Sequence, residues 1–376
     1  MSGVKVGLVG CGNISSIYLE NAVKFESFEI SACADVDLAR AKQVAAEYGI
    51  TKAVSVEEVL HDPEIELVLN LTPPSVHAEI AIQALNSGKH VYNEKPLSVT
   101  RSDAKEILAV AEEQGLFVGN APDTFLGGGL QTCRKIIDDG LIGDPVSATG
   151  FMMIPGHERW HPNPEFFYQP GAGPMFDMGP YYLTALIFLM GPIKRVTGSA
   201  KITFAERTIT SEPKYGEKIK VATPTQVNGV LDFESGATAS IITSFDTWHH
   251  QLPPIEIYGS KGSLVVPDPN HFSGPVFIRK AGDKQWSEHP LTHGFTVNSR
   301  GIGVAEFCHA VKNEKSPRAN GNLAYHVLDV MQGIYDSSEE ECHYKLTSYC
   351  NQPAPLPAAI SEDNFDRLLT EEMLTK

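Results

Sequence analysis

Residues 5–23 read KVGLVGCGNISSIYLENAV, and this segment predicts a strand, a tight turn and a helix in direct succession. The strand is the apolar run from Val4 to Val9, and the turn carries a Gly-x-Gly pair. In nucleotide-binding proteins the first glycine permits the turn, and the second lets the backbone approach a pyrophosphate at the positive end of the helix. Ser15 takes the place of a third small residue and still allows close packing of the helix. The residues predicted to bind a dinucleotide here are Gly10, Gly12, Asn13 and Ile14.

A second predicted strand, FEISACAD at residues 28–35, ends on Asp35, which lies 20 residues beyond Ser15. An acidic side chain at this position accepts hydrogen bonds from the adenosine ribose of NAD and repels the 2′-phosphate of NADP. Arg40 follows five residues later, inside the next predicted helix. The sequence therefore favours NAD over NADP. The alternative reading of Asp35 is a helix cap or a turn residue.

Predicted strands and helices continue to alternate up to residue 119. This alternation predicts an α/β fold with a parallel, doubly wound sheet, whose ligands bind at the C-terminal ends of the strands. Three such strand ends carry polar or proline-containing sequence, and we expect them to border one crevice: NLTPP at 70–74, NEKP at 93–96 and GNAPD at 119–123.

Composition narrows the class of protein. The chain has 376 residues, more than the roughly 250 to 300 at which single cores stop growing, so two domains are expected. Its net charge of -16 disfavours nucleic acid and anionic membranes as partners, and no apolar run is long enough to span a bilayer. Six scattered cysteines without a CxxC pair predict neither disulfides nor a metal site. The N-terminus enters a strand without a secretion signal, which predicts a cytoplasmic protein.

From about residue 124 the pattern changes to runs of strands split by turns, which predicts an α+β domain with a large, mostly antiparallel sheet and a covering helix near residues 175–190. We therefore expect a Rossmann domain at 1–123, an α+β domain at 124–350, and a linker with a short helix at 351–376. The predicted strands are PVSATGFMMI, RVTGSAKITF, TQVNGVLDF, GATASIITSF, PPIEIYG, GSLVVP and PVFIRK.

Several motifs together resemble the family named for glucose-fructose oxidoreductase, inositol dehydrogenase and rhizopine catabolism (Gfo/Idh/MocA). The resemblance covers nearly the whole chain and implies NAD(P)-linked oxidation or reduction of a sugar, polyol or related alcohol. It also implies that residues 124–350 form the substrate-binding and oligomerisation domain, with a homodimer or homotetramer formed through the open face of its sheet. The motifs are TPPSVHAEIAIQAL, GKHVYNEKPLSVT, RKIIDDGLIGDPVSATG, GAGPMFDMGPY, YGSKGSL and RANGNLAYHVLDVM.

The Glu-Lys-Pro turn carries the predicted catalytic lysine. Lys95 precedes Pro96, which confines the lysine backbone to extended geometry, so the side chain has a defined direction. A lysine beside the nicotinamide can hydrogen-bond a substrate hydroxyl and stabilise a developing alkoxide. The alternative interpretation of Lys95 is a solvated surface lysine without a role in catalysis. The resemblance places Glu94 by the nicotinamide ribose. It also places Thr72, Pro73 and His77 along the cofactor, although His77 could instead be a surface residue at the start of a helix.

Further candidates for substrate binding lie beyond the first domain's last strand and in a long aromatic loop, PGHERWHPNPEFFYQPGAG. Long irregular loops in compact domains tend to be functional. Trp160, His161 and Tyr168 are suited to stacking on a sugar ring and bonding its hydroxyls, with packing roles as the alternative. Asp123 is predicted to bind a substrate hydroxyl.

The segment GAGPMFDMGPYYLT departs from the family pattern. The family usually shows Asp-x-Gly-x-His-x-x-Asp, whereas this chain has Asp177-x-Gly179-x-Tyr181-x-x-Thr184. Asp177 and Tyr181 share one helix face, which we expect to look towards Lys95. A phenol is a poor base at neutral pH unless a nearby positive charge stabilises the phenolate. We predict Tyr181 as the general acid/base, Lys95 as its partner and Asp177 as a substrate anchor. Some relatives, glucose-fructose oxidoreductase among them, likewise have Tyr here.

Three functions are open at this point. The first is a sugar or polyol dehydrogenase or reductase in which Lys95 and Tyr181 handle the proton, with Lys95 acting alone as the alternative. The second is an NAD-dependent glycoside-cleaving enzyme that works by transient oxidation and elimination. The third is a regulatory protein that binds the nucleotide without turnover, against which the presence of Lys95, Tyr181 and Asp177 speaks.

Overall fold

The computed structural model of the chain describes residues 3–375, with side chains described for residues 3–373. The chain divides into two compact units. Unit 1 contains the chain up to Gln131, Thr292–Tyr325 and the residues from Pro353 onwards, and unit 2 contains Thr132–Leu291 and His326–Gln352.

Unit 1 is built on a six-stranded parallel sheet with the strand order β3-β2-β1-β4-β5-β6. This order is that of the doubly wound dinucleotide-binding fold, and it confirms the predicted fold class. The central strands are buried almost continuously, as expected for a parallel sheet that is covered on both faces. The strands are β1 (Val4–Val9), β2 (Phe28–Ala34), β3 (Lys52–Val54), β4 (Leu67–Asn70), β5 (His90–Asn93) and β6 (Val118–Asn120).

The helices between these strands begin and end on local sequence signals. Asp37 accepts hydrogen bonds from the first turn of α2, and Ser55 and Glu58 form a capping box on α3. Gly49 and Gly115 end α2 and α5 in the left-handed conformation. The helices are α1 (Ser15–Ala22), α2 (Leu38–Tyr48), α3 (Val56–His61), α4 (His77–Asn86) and α5 (Arg101–Gln114).

Unit 1 differs from the predicted domain 1–123 because two later segments return to it. They carry α8 (Ile302–Lys312) and α10 (Phe365–Thr375). A buried ion network joins them, in which Arg318 binds Glu306 at 3.0 Å and Glu372 at 2.7 Å. Ile360 is fully buried, so the segment after residue 351, which was expected to be a linker, is packed.

Unit 2 contains a nine-stranded sheet with the order β16-β15-β14-β13-β7-β12-β11-β8-β17. Only the β7–β12 pair is parallel among the pairs described, so the sheet is mostly antiparallel, as predicted. All seven predicted strands are present. The strands are β7 (Pro145–Met153), β8 (Ile193–Lys201), β11 (Gln226–Phe233), β12 (Thr238–Ser244), β13 (Ile255–Gly259), β14 (Gly262–Val266), β15 (Val276–Lys280), β16 (Ser287–His289) and β17 (Tyr344–Lys345), with a separate ribbon of β9 (Glu206–Thr208) and β10 (Lys218–Lys220).

One long apolar helix, α7 (Gly173–Met190), packs against β7, β11 and β12 of this sheet. Two further helices cross the boundary between the units in sequence, α6 (Gly128–Asp138) and α9 (Gly321–Glu339). α9 lies against the sheet through Ile334, since a Cβ on Gly198 of β8 would come within 2.0 Å of the Ile334 carbonyl oxygen. Within residues 3–375, no helix is long and apolar enough to cross a membrane.

Candidate active site

The glycine turn after β1 has the geometry that the sequence predicts. Gly10 has φ +100°, and a Cβ there would lie 2.7 Å from the backbone of Leu71, so only glycine fits. A Cβ on Gly12 would meet no described atom within 4 Å, which leaves this stretch of backbone open to an approaching group. Ser15 is buried, and its hydroxyl donates to the Gly12 carbonyl at 2.7 Å. Ile14 is the N-cap of α1, and no side chain of residues 3–373 caps that helix.

Asp35 lies directly after β2 and faces the glycine turn. Its Oδ2 accepts the Cys11 backbone N–H at 2.9 Å, and its Oδ1 accepts that of Asp37 at 2.9 Å. Asp37, and not Asp35, caps α2, so the capping alternative is wrong, whereas the bond to Asp37 does close a local turn. Arg40 Nη1 lies 3.7 Å from Asp35 Oδ2, closer than its position inside α2 suggested.

His77 connects two of the predicted cofactor loops within unit 1. It is fully buried, with Nδ1 2.7 Å from the Pro96 carbonyl oxygen and Nε2 2.7 Å from that of Thr72. Burial lowers the pKa of His77, while the two carbonyl contacts act in the opposite direction. The alternative that His77 is a surface residue is therefore wrong. Its ring holds Thr72 and the Lys95–Pro96 turn together, while the neighbouring Pro73 is exposed.

The Glu-Lys-Pro turn is held from beneath by Glu94. This buried carboxylate accepts the Tyr18 hydroxyl at 2.9 Å and the Lys95 backbone N–H at 2.7 Å. Burial, followed by the charge of Glu94, raises the pKa of Tyr18, which keeps the phenol protonated as a donor. Lys95 is half-buried at the C-terminal end of β5. Tyr18 is thus a supporting residue that sequence reasoning missed, because only its place on α1 could have suggested it.

Asp123 has a role that the sequence did not suggest. Its Oδ2 accepts the backbone N–H groups of Gly301 at 2.8 Å and Gly303 at 3.1 Å, at the start of α8. Burial raises the pKa of Asp123 to about 6, although the two backbone bonds oppose the shift. Asp123 therefore caps α8, and its 1% exposure argues against the predicted contact with a substrate hydroxyl.

In unit 2, the start of α7 presents the Asp-x-Gly-x-Tyr segment. Asp177 is half-buried, and Tyr181 lies one turn later on the same face with 7% of its surface exposed. A Cβ on Gly179 would lie 2.7 Å from the sulfur of Met175 and 3.2 Å from that of Met331, which explains the glycine between them. Thr184, in the place of the family's second Asp, is buried.

A histidine that sequence reasoning passed over binds Asp177. His157 Nε2 lies 3.1 Å from Asp177 Oδ2, and the imidazole stacks on Phe167 with ring centroids 3.9 Å apart. Phe245 packs edge-on against the same ring at 4.8 Å. His157 Nδ1 is buried and has no hydrogen-bond partner among residues 3–373. The contact therefore uses the tautomer in which Nε2–H donates to the carboxylate.

The only sequence feature that pointed to His157 was its position in the long irregular loop predicted to be functional. An irregular loop has no periodicity that would single out one of its residues.

The other candidates in this loop differ in their exposure and contacts. Trp160 is 63% exposed, and His161 is half-buried with Nδ1 accepting the Asn163 backbone N–H at 3.0 Å. Tyr168 is fully buried and donates its hydroxyl to Glu158, so its predicted contact with a sugar is wrong. Among the described residues, no cluster of three or more His, Cys, Asp or Glu could hold a metal ion.

Comparison with known proteins gives matches in both parts of the chain. Residues 4–121 match a family described as an oxidoreductase family with an NAD-binding Rossmann fold, GFO_IDH_MocA. Residues 130–265 match the GFO/IDH/MocA C-terminal domain. Together the two matches cover more than half of the chain.

Individual relatives span most of the chain at low identity. A 1,5-anhydro-D-fructose reductase from Ensifer adhaerens is 27% identical over 84% of this chain and 90% of the relative. A D-xylose 1-dehydrogenase (NADP(+)) from Haloferax volcanii is 26% identical over 89% of this chain and 97% of the relative. A solved levoglucosan dehydrogenase, in complex with NADH and levoglucosan, has a TM-score of 0.80 at 20% identity and covers 92% of this chain and 100% of that chain. At that identity the structural likeness shows the fold.

Proposed function

Because the chain belongs to the Gfo/Idh/MocA oxidoreductase family, we propose that it transfers a hydride between NAD and a hydroxyl or keto carbon of a sugar, glycoside or polyol. Three of its relatives are named as a 1,5-anhydro-D-fructose reductase, a myo-inositol 2-dehydrogenase and a scyllo-inositol 2-dehydrogenase. One observation carries the proposal for this chain. Lys95 follows a buried glutamate at the C-terminal end of a strand, which is where parallel sheets of this order bind their ligands.

The residues present fit a nicotinamide dinucleotide. The open backbone at Gly12 suits a pyrophosphate, Asp35 suits a ribose, and the turn after Glu94 suits the nicotinamide end. When bound, the nucleotide supplies or accepts the hydride. Thr72 and Pro73 belong to a loop that His77 ties to the Lys95–Pro96 turn, so these residues act together.

The choice of NAD over NADP rests on Asp35. Its carboxylate already accepts two backbone N–H groups, which hold it in place, and a negative charge at this position opposes a 2′-phosphate. Arg40 favours NADP instead, because its side chain is 52% exposed beside Asp35 and its guanidinium can turn towards an anion. We propose NAD as the better cofactor, with Arg40 permitting some use of NADP.

Four side chains have roles in the proposed reaction: two act on the reacting oxygen and its proton, and two bind and position the substrate. Lys95 stabilises the substrate oxygen as negative charge develops on it, and Tyr181 takes or returns the hydroxyl proton. Asp177 anchors a neighbouring hydroxyl. His157, which donates to Asp177 at 3.1 Å, holds that carboxylate in position. Support comes from the placing of Asp177 and Tyr181 one turn apart on α7.

The test is a spectrophotometric screen of free sugars, inositols and glycosides with NAD and NADP, followed by product analysis. Accumulation of NADH with a ketone product supports the dehydrogenase. Cleavage of a glycoside without net NADH would instead support the redox-neutral alternative, transient oxidation followed by elimination. If no substrate class gives either product while NAD binds, the enzyme proposal is wrong and a nucleotide-binding regulatory protein takes its place.

We further propose a cytoplasmic homodimer or homotetramer joined through the sheet of unit 2. The face opposite α7 carries half-exposed apolar side chains, since Val265 and Phe277 pair in register on it. On a strand nearer the other edge, Val230 is 45% exposed. A sheet face of this kind is suited to burial against a second copy. Light scattering of the purified protein checks the prediction, and a monomer at micromolar concentration would contradict it.

A further inference from the structure

A buried polar network fastens the aromatic loop, residues 155–173, to two strands of unit 2. At its centre is Arg207 of β9, whose side chain is only 9% exposed. The guanidinium donates to Glu158 Oε1 at 2.6 Å and also to Asp246, which lies just beyond the end of β12. One positive group is thus held between two buried carboxylates. Breaking such a pairing is strongly unfavourable, so the network defines where the Glu158 carboxylate lies.

Tyr168 joins this network to His157. The Tyr168 hydroxyl donates to Glu158 and accepts the backbone N–H of His157 at 3.2 Å. Burial, followed by the hydrogen bond to Glu158, raises the pKa of Tyr168, so the phenol keeps its proton and remains the donor to the carboxylate. Its oxygen then has lone pairs left to accept the N–H group. The hydroxyl therefore connects the carboxylate to the backbone of His157.

The residue before His157 shows how closely the backbone passes over this network. Gly156 has φ +92°, and a Cβ there would lie 2.6 Å from the Tyr168 hydroxyl oxygen and 2.8 Å from Arg207 Nη1. Both the conformation and the lack of space require glycine. The chain thus enters the turn at His157 in direct contact with the network.

The two sides of His157 are held by different interactions. The network holds its backbone, and the stack on Phe167 holds its ring, with centroids 3.9 Å apart. In this position His157 Nε2 lies 3.1 Å from Asp177 Oδ2. A separation of 3.6 Å is no longer a hydrogen bond, so a shift of about 0.5 Å at the His157 backbone is enough to break the contact.

We propose that Tyr168 is a positioning residue of the active site, because its hydroxyl fixes the His157 backbone where the imidazole reaches Asp177. Glu158 and Arg207 hold the phenol in turn. The inference rests on the proposed function, in which Asp177 anchors the substrate. It gives Tyr168 an effect on substrate binding without contact with the substrate. The competing explanation is that the network only stabilises the fold of unit 2.

The variant that tests the role is Tyr168→Phe, which removes the hydroxyl and keeps the ring. Arg207 is left in place, since its removal would leave two buried carboxylates without their counter-charge. Steady-state kinetics with the best substrate of the screen are measured for Tyr168→Phe, His157→Phe and the double variant. The loss of kcat/KM in Tyr168→Phe cannot exceed that in His157→Phe, which removes the contact with Asp177 altogether. We expect a loss of about three- to tenfold, chiefly as a higher KM.

The double variant separates positioning from stability. If Tyr168 acts through the His157 ring, adding Tyr168→Phe to His157→Phe should cause no further loss of kcat/KM, whereas independent effects would multiply. The matched control is Tyr182→Phe, which also removes a buried hydroxyl from unit 2. That hydroxyl donates to the Phe151 carbonyl oxygen at 3.3 Å, and its removal should leave kcat/KM unchanged.

Amide hydrogen exchange, followed by mass spectrometry, gives a reading that does not need turnover. Tyr168→Phe removes the acceptor of the His157 N–H, so a peptide covering residues 155–161 should exchange faster than in wild type, and Tyr182→Phe should leave it unchanged. The proposal is overturned if Tyr168→Phe leaves this exchange or kcat/KM at the wild-type value, or if the two losses multiply in the double variant. If the wild-type protein oxidises no sugar or polyol, the proposed function fails, and the exchange of this peptide still decides whether Tyr168 holds His157.

Discussion

Replacement of His157 tests whether Asp177 depends on its partner. His157→Phe removes the Nε2–H donor that lies 3.1 Å from Asp177 Oδ2 but keeps an aromatic ring between Phe167 and Phe245. A hydrogen bond to a charged group contributes about 1.5 to 3 kcal/mol, or about 10- to 150-fold in kcat/KM. The Asp177 side chain is 19% exposed, so water replaces part of the lost bond. We therefore expect a loss near the lower end, about 10- to 30-fold.

The control for this experiment is His157→Gln, whose amide nitrogen can donate to the same carboxylate and should recover most of the activity. Stability separates positioning from packing. His157→Phe also removes Nδ1, a buried atom without a hydrogen-bond partner among the described residues, so the free energy of unfolding should change by less than about 1 kcal/mol. The assays are steady-state kinetics with the best substrate of the screen and denaturant unfolding. Equal activity in both variants, or a loss of activity matched by a loss of stability, would refute the positioning role.

Three further predictions follow from single residues. Tyr181→Phe should lower kcat about 100-fold or more with little change in substrate binding, because it removes the proposed acid/base, and wild-type turnover would contradict the assignment. Asp35→Ser should lower the preference for NAD over NADP, measured as a ratio of kcat/KM values, at least about tenfold, because Arg40 then lacks its carboxylate partner; an unchanged ratio would count against Asp35 as the selector. Burial raises the pKa of Asp123 from 3.8 to about 6, so its protonated form is favoured in the folded state. Its contribution to stability should thus be present below pH 3.8 and be lost as pH rises to about 6, a difference of about 3 kcal/mol that Asp123→Asn abolishes in denaturant titrations across this range. If the free energy of unfolding changed with pH equally in wild type and Asp123→Asn, the pH dependence would come from another group.

Features encoded by neighbouring residues could be predicted from the sequence. The turn at Gly10 follows from residues adjacent in the chain, and strand and helix periods identified both sheets. The composition of unit 1 could not be predicted in this way, because Arg318 meets Glu306 and Glu372 only after the chain returns. Long-range pairings of this kind leave no local pattern.

The candidate site likewise combines residues that local sequence identifies with long-range contacts that it does not. Glu94 and Lys95 were found because their spacing to a strand end is fixed, whereas the tyrosine that supports Glu94 lies 76 residues earlier on another element. His157 and Asp177 are 20 residues apart and joined by an irregular loop. Their contact depends on where that loop folds back and on the Phe167 and Phe245 rings that pack against the imidazole. The periodicity of the sequence predicts neither the path of the loop nor these ring contacts.

The position of His157 also bears on the question raised by Tyr181. The usual family pattern has a histidine at the position of Tyr181 on α7, where it donates or accepts the proton. This chain also has an imidazole against α7, but it belongs to His157 in the loop. The His157 imidazole is not equivalent to the family's helix histidine. A histidine that relays protons needs a second ring nitrogen in contact with a donor, an acceptor or water, whereas His157 Nδ1 is buried among side chains without such a partner in the described part of the chain. We therefore propose that His157 orients Asp177 through Nε2 and does not itself relay the proton. In the proposed mechanism Tyr181 with Lys95 transfers the proton, so the His157→Phe and Tyr181→Phe variants should differ in kind. The first should act mainly on substrate binding through Asp177, and the second mainly on kcat.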